Sequence, residues 1–163
     1  MIKKILLSVV AVLIAIQFIH PKKNESTGLS ENDISKLYAV PKNVQTILAK
    51  ACYDCHSNNT IYPWYNSIQP IAWWLNNHIK DGKRHLNFSE FASYKISRQY
   101  KKLEECKEQL KENEMPLDSY TWIHRNAILT VEEKTTITDW CDKIRDSIKT
   151  KYPADSLVLP KRK

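Results

Sequence analysis

Apolar positions recur at helical spacing along this chain. Val44, Ile47, Leu48 and Ala51 follow i, i+3, i+4, i+7. That spacing predicts a helix opened by Pro41, with one buried face, that delivers Cys52. Ser57-Asn58-Asn59-Thr60 reads as loop and Tyr62-Pro63-Trp64-Tyr65 as an aromatic connector. Pro70 suits the first turn of a second helix, with Ile71, Trp74, Leu75 and His78 on one face and Asp81-Gly82 as its end. A loop with Leu86 and Phe88 leads to a short helical piece from Ser89. A longer helix over 96–113 turns Ile96, Tyr100, Leu103 and Leu110 inward. Asn113 or Glu114 closes it, and Met115-Pro116-Leu117 follows, since the residue before a proline disfavours helix. The last helix starts at Thr130, where Thr130 and Glu133 form a capping box. Ile137, Trp140, Cys141, Ile144 and Ile148 give it the cleanest stripe in the chain.

The ends read differently. Residues 1–23 hold Lys3 and Lys4, an apolar run from Ile5 to Ile19 broken by Ser8 and Gln17, and then Lys22 and Lys23. This is the layout of an export signal or an uncleaved membrane anchor. The run is short for a spanning helix, which needs about 20 residues, and small residues are missing where a cleavage site would stand. Residues 24–40 are polar and read as a tether. Residues 41–150 form the domain, and 151–163 a loose basic tail.

The whole chain has 163 residues and two glycines. Once the leader is set aside, that is enough for one compact domain. Few glycines and many Lys, Glu, Leu and Ile favour helix over sheet. Net charge is +7, but the basic residues are mixed with acids rather than gathered in a stripe, so nucleic acid is not an expected partner. A mild positive field suits an acidic redox partner or an anionic membrane surface.

The chemistry lies in Cys52-Tyr53-Asp54-Cys55-His56. Two thiols on one helical turn can each add to a porphyrin vinyl group, and the next residue then offers its imidazole to the iron. Cys-x-x-Cys-His is the attachment signature of c-type haem. A thioredoxin-like site would follow a strand, and no β-rich segment precedes Cys52. A zinc site would want a second ligand pair, whereas Cys106 and Cys141 are single residues within helical stripes. A structural Cys52–Cys55 disulfide is the remaining rival.

A second axial ligand would come from Met115, His78, His85 or His124. Met115 stands out: it lies in a Met-Pro turn between helices, and a thioether is a soft ligand for haem iron. The bland alternative is a methionine filling a gap in the core. His78 falls on an apolar helix face, His85 looks exposed, and His124 could reach a haem propionate instead of iron. Tyr62, Trp64, Tyr65, Trp73, Trp74, Trp122 and Trp140 either build the core or line a haem pocket. Pro63 or Pro70 could set a carbonyl against His56 to fix its tautomer. Cys106 and Cys141 read either as a disulfide or as two separate buried thiols.

With these residues in view, the sequence resembles the small haem-binding domain proteins, a branch of the class I cytochrome c group. The likeness covers roughly 40–145. It runs through Cys52–Asn58, Tyr62–Tyr65, Ile68–Pro70, Trp73-Trp74, Leu86–Ser89, Met115-Pro116, Tyr120, His124 and Leu129 to Trp140. The resemblance implies an all-α, cytochrome c-like helical domain wrapped around one covalent haem. It implies haem c on Cys52 and Cys55, with His56 and Met115 as the iron ligands. Leu117 departs from the pattern, because related Met-Pro turns often carry a second proline.

The expected function is single-electron transfer by His/Met-ligated iron on the outer side of the cytoplasmic membrane. The partners would be a redox protein and, through the N-terminal segment, the membrane. The alternatives are a haem-based sensor or gas-binding module, or a peroxidase with an open distal site. No acid/base pair points to an enzyme.

Overall fold

The computed structural model describes residues 1–159. Seven α-helices stand among them: α1 Ile2–Ile16, α2 Lys42–Ala51, α3 Tyr53–His56, α4 Ile71–His85, α5 Ile96–Lys111, α6 Asp118–Thr121 and α7 Val131–Lys151, with short 3-10 turns between. No strand occurs among the described residues, so the expected all-helical class holds.

The core is built where α2, α5 and α7 meet, and α5 and α7 pack most extensively. Leu48, Phe91, Leu103 and Ile137 are buried there. Trp140 is buried beside them and donates its indole N–H to the Ala39 carbonyl at 3.0 Å. The capping box of α7 is present: Glu133 N–H donates to Thr130 Oγ1 at 3.2 Å, and Thr130 N–H to Glu133 Oε2 at 3.0 Å. Reciprocal bonds of this kind satisfy two of the backbone donors that a helix start leaves open.

The structure corrects several expectations at the edges. Residues 24–40 are not a free tether. Ile34 is wholly buried in a 3-10 turn, with Tyr38 and Val40 packed on the core. Asn24 donates to the Ser57 carbonyl and to Thr60. Ile34, Tyr38 and Val40 are enough to dock this mostly polar stretch. The stretch after α7 also folds back: Ala154–Leu157 form a 3-10 turn, and Leu157 packs on the core. The rest of the predicted loose tail, residues 160–163, lies outside the described residues.

Helix α4 does not stop at Gly82 but runs on to His85. Its buried side is Ala72, Leu75 and Ile79, while Ile71 and Trp74 are exposed. The small Ala72, not the large apolar neighbours, turns inward. Helix α5 ends two residues earlier than expected, at Lys111.

Helix α1 forms where the apolar run predicted it, with no buried residue along its 15-residue length. At a rise of 1.5 Å per residue it is roughly 22 Å long, against about 30 Å for a bilayer's hydrocarbon core. Among the described residues no helix is long and apolar enough to cross a membrane. The chain after α1 is fastened to the domain: Gln17 exchanges bonds with the Gln69 backbone, and Trp73 donates to the Ile19 carbonyl at 3.0 Å.

Candidate functional site

Cys52 sits at the break between α2 and α3, where its φ of −126° departs from helical geometry. The chain then re-enters a single turn that carries Asp54, Cys55 and His56. Tyr53 fixes that turn by packing edge-on against Phe88, with ring centroids 5.7 Å apart.

Two features of α4 hold the turn from behind. Gly82 packs so closely that a Cβ there would lie 2.6 Å from the Cys55 carbonyl oxygen and 3.0 Å from its Cβ. Any side chain would push α3 off α4, which is why the glycine sits inside the helix rather than after it. Beyond the helix the chain turns extended at Leu86. The Leu86 carbonyl accepts from His56 Nδ1 at 2.9 Å. That bond assigns the proton to Nδ1 and leaves Nε2 as the lone-pair atom. The carbonyl that fixes His56 therefore comes from Leu86, not from Pro63 or Pro70. Burial lowers the His56 pKa and favours the neutral ring.

The motif's middle residue is equally well held. Asp54 Oδ1 accepts the Ile61 N–H at 2.9 Å, and its Oδ2 accepts the Tyr120 hydroxyl at 2.7 Å. Tyr120 stacks on His124 at 4.3 Å, nearly parallel, and His124 Nε2 meets the Tyr65 hydroxyl at 3.0 Å. Burial, aided by the Asp54 carboxylate, holds the Tyr120 phenol above its ordinary pKa. Burial and Asp54 together push the Cys55 thiol up to about 11. Burial, with Cys106 and Cys55 nearby, also raises Cys52. Both thiols are therefore protonated at neutral pH.

These groups open onto one cavity of about 600 Å³, within the range of small-molecule and cofactor pockets. Cys52, Cys55, His56 and Met115 all line it. Its apolar wall comes from Phe88, Leu110, Leu129 and Ile137. Met115 reaches it from the turn after α5. Asn113 takes a left-handed φ of 60°, which asparagine tolerates better than most residues. The Glu114 N–H then donates back to the Gln109 carbonyl at 3.0 Å. Lys134 on α7 donates to Asn113 Oδ1 and secures the turn.

The other candidates separate. His78 and His85 also line the cavity, His78 with Nδ1 held by the Trp74 carbonyl at 2.9 Å. His124 is not on the cavity wall, and its Nε2 is already engaged by Tyr65. None of the seven aromatics offered for the haem pocket lines the cavity; its rings are Phe88 and Tyr120. Trp64 and Trp122 are 78% and 70% exposed. The four cysteines are all free thiols. Among the described residues no group of three or more His, Cys, Asp or Glu could hold a metal ion by itself.

Sequence reasoning missed Gly82, the Leu86 carbonyl, the Asp54–Tyr120 pair and Cys106 as a wall residue. Gly82 did carry a signal. It is one of only two glycines in the chain and lies among residues that can all continue a helix. A backbone carbonyl carries none.

The residues present fit a haem. Two thiols, one tautomer-fixed imidazole and one thioether share a mostly apolar cavity. No curated protein and no solved structure matches the chain. A family model, the haem-binding domain, matches residues 11–143. The chain therefore belongs to the haem-binding domain family and binds haem.

Proposed function

We propose that this domain carries one covalently attached haem c and transfers single electrons. The observation that carries the reading is the meeting of Cys52, Cys55, His56 and Met115 on one cavity, with His56 Nδ1 already committed to Leu86. Cys52 and Cys55 would hold the macrocycle through thioether bonds. His56 Nε2 and the Met115 sulfur would supply the axial ligands. When bound, the haem supplies an iron that cycles between ferrous and ferric states, at a potential a His/Met pair raises. Phe88, Leu110, Leu129 and Ile137 keep water from the ring and favour the less charged state. The Leu86 carbonyl orients the imidazole and adds to its donor strength.

A peroxidase would need a free distal base; the engagement of His124 by Tyr65 removes one of the two candidates, His124 and His78, and leaves His78 on the cavity wall. An open, gas-binding site is favoured only by the placement of Met115 on a turn. The N-terminal segment supports work at a membrane surface: α1 buries none of its apolar residues and carries Lys3 and Lys4 in its first turn. Embedding such a helix would remove that surface from water. A redox protein on the outer face of the membrane is the expected partner.

The deciding experiment is intact mass and a pyridine haemochrome spectrum on protein matured with a haem-attachment system. The expected outcome is one haem per chain, resistant to acid extraction, and lost in the Cys52→Ala, Cys55→Ala double variant. Haem that extracts freely from the wild type would end the covalent reading, and colourless protein would end the electron-transfer reading with it.

A further inference from the structure

Four cysteines are present, and the haem reading uses two. The other two are not isolated. Cys106 lies on α5, half-buried, on the wall of the cavity that Cys52 also lines. Cys141 lies on α7 and is wholly buried. Two cross-helix ion pairs set the register between these helices. Arg145 meets Glu104 at 3.0 Å, and Lys107 pairs with Asp142. The helices therefore run antiparallel, and Cys106 and Cys141 are the residues immediately before Lys107 and Asp142, the two members of one of these pairs. Cys106 packs against the buried cluster that holds Cys141, and each thiol shifts the other's ionisation.

We propose that Cys106 and Cys141 are joined as a disulfide in the mature protein, clamping α5 to α7 beside the haem cavity. The proposal rests on the reading that the domain matures outside the cytoplasm, where disulfides persist. The bond forms by exchange with an external protein disulfide. Cys106 is the more accessible thiol and attacks first, as the thiolate. It bonds to one external sulfur, displaces the other as a thiol and gives up its proton. Cys141 then attacks the Cys106 sulfur, loses its own proton and releases the second external thiol. The chain loses two electrons and two protons, and the external disulfide gains both. Its neighbour Cys141 lowers the pKa of Cys106, which suits Cys106 as the attacking thiol. Once the bridge is made, Cys52 and Cys55 are the only thiols left facing the cavity, so neither competes with Cys106 for haem.

The test uses full-length, exported, red protein. It is unfolded in an alkylating reagent without reductant and then digested for peptide mass mapping. The expected result is that the Cys106 and Cys141 peptides run as one linked species, two hydrogens lighter than the pair, with no alkyl group on either. Both peptides singly alkylated in red protein would overturn the proposal, as would a Cys106–Cys52 link. Colourless protein that still carries the Cys106–Cys141 link would defeat the haem reading and leave this one standing. Cys106→Ser gives a second readout. A mild reductant should lower the wild-type Tm by several degrees and leave the variant unmoved. An equal response in both proteins would count against the bridge.

Discussion

His56 and Met115 line the same cavity, yet one is built into the fold and the other is carried on a turn. Behind His56 stand a helix pressed against the motif at Gly82, a carbonyl on Nδ1, and an aspartate between the cysteines that holds two further segments. Behind Met115 stand two backbone bonds to the Gln109 carbonyl, from the Glu114 and Met115 N–H groups, and one Lys134–Asn113 contact. Stability is not uniform across a structure, and a segment with few buried contacts opens at lower cost. The difference teaches where this site yields. On the proposed His/Met ligation, ligand exchange belongs to the Met115 side, while the His56 side resists it.

The sharpest way to break that contrast is to damage the well-held side. Gly82→Ala puts a methyl against the Cys55 backbone, which has no flexible end to move aside. Overpacking of this kind costs about 1–3 kcal/mol. The turn bearing both cysteines must shift with it. The expected outcome is a lower Tm and a large loss of covalently attached haem, read by haem stain and absorbance per chain. Full haem loading with an unchanged Tm would show that α3 and α4 are not locked as described.

The second test moves to the other side. Met115→Ala should keep the haem covalently attached, because Cys52 and Cys55 are untouched. It should abolish the weak far-red band of a ferric His/Met site and give a high-spin or water-bound spectrum. The cost in stability is expected to stay below about 2 kcal/mol, under the range for a fully buried methionine, because Met115 is only partly buried. An unchanged spectrum would move the distal ligand elsewhere, and His78 is the residue on the cavity wall best placed to take it. A wild type that is already high-spin would favour the open-site reading.

The same asymmetry governed how much could be read in advance. The motif side was legible because its chemistry is local: Cys52, Cys55 and His56 are neighbours in sequence, and α2 delivers them through a plain helical stripe. The α7 capping box was legible for the same reason. What supports them was not. The Leu86 carbonyl belongs to a residue whose side chain says nothing about it. Tyr120 and Asp54 meet across 66 positions. Gly82 looked like a helix end because glycine usually is one, and only the tertiary approach of Cys55 explains it. The tether and tail were misjudged because polar composition outweighed Ile34 and Leu157, two side chains that decide docking. Of the two readings left open for the aromatics, Tyr65 and Trp140 follow the core one, and which rings are buried depends on tertiary packing that an aromatic connector does not reveal. Trp64 and Trp122 turned out to face water.

The smallest effect, and the finest test of the contrast, lies at Asn113. Its φ of 60° sets the direction in which the chain leaves α5 for Met115. Asn113→Gly keeps that backbone conformation available and removes only the Lys134 contact. Asn113→Ala removes the contact and adds left-handed strain of about 1 kcal/mol. If the turn governs Met115, alanine should weaken the Met115–iron bond more than glycine does. The measurement is the affinity of the ferric protein for added imidazole, which competes with Met115. A cost of about 1 kcal/mol to the closed turn corresponds to roughly a fivefold gain in imidazole affinity for alanine over glycine. Equal affinities in the two variants would mean that the side-chain contact, not the backbone, holds the turn. No change in either would mean that Met115 is held by its packing in the cavity, and the two sides of the site would be more alike than their hydrogen bonds suggest.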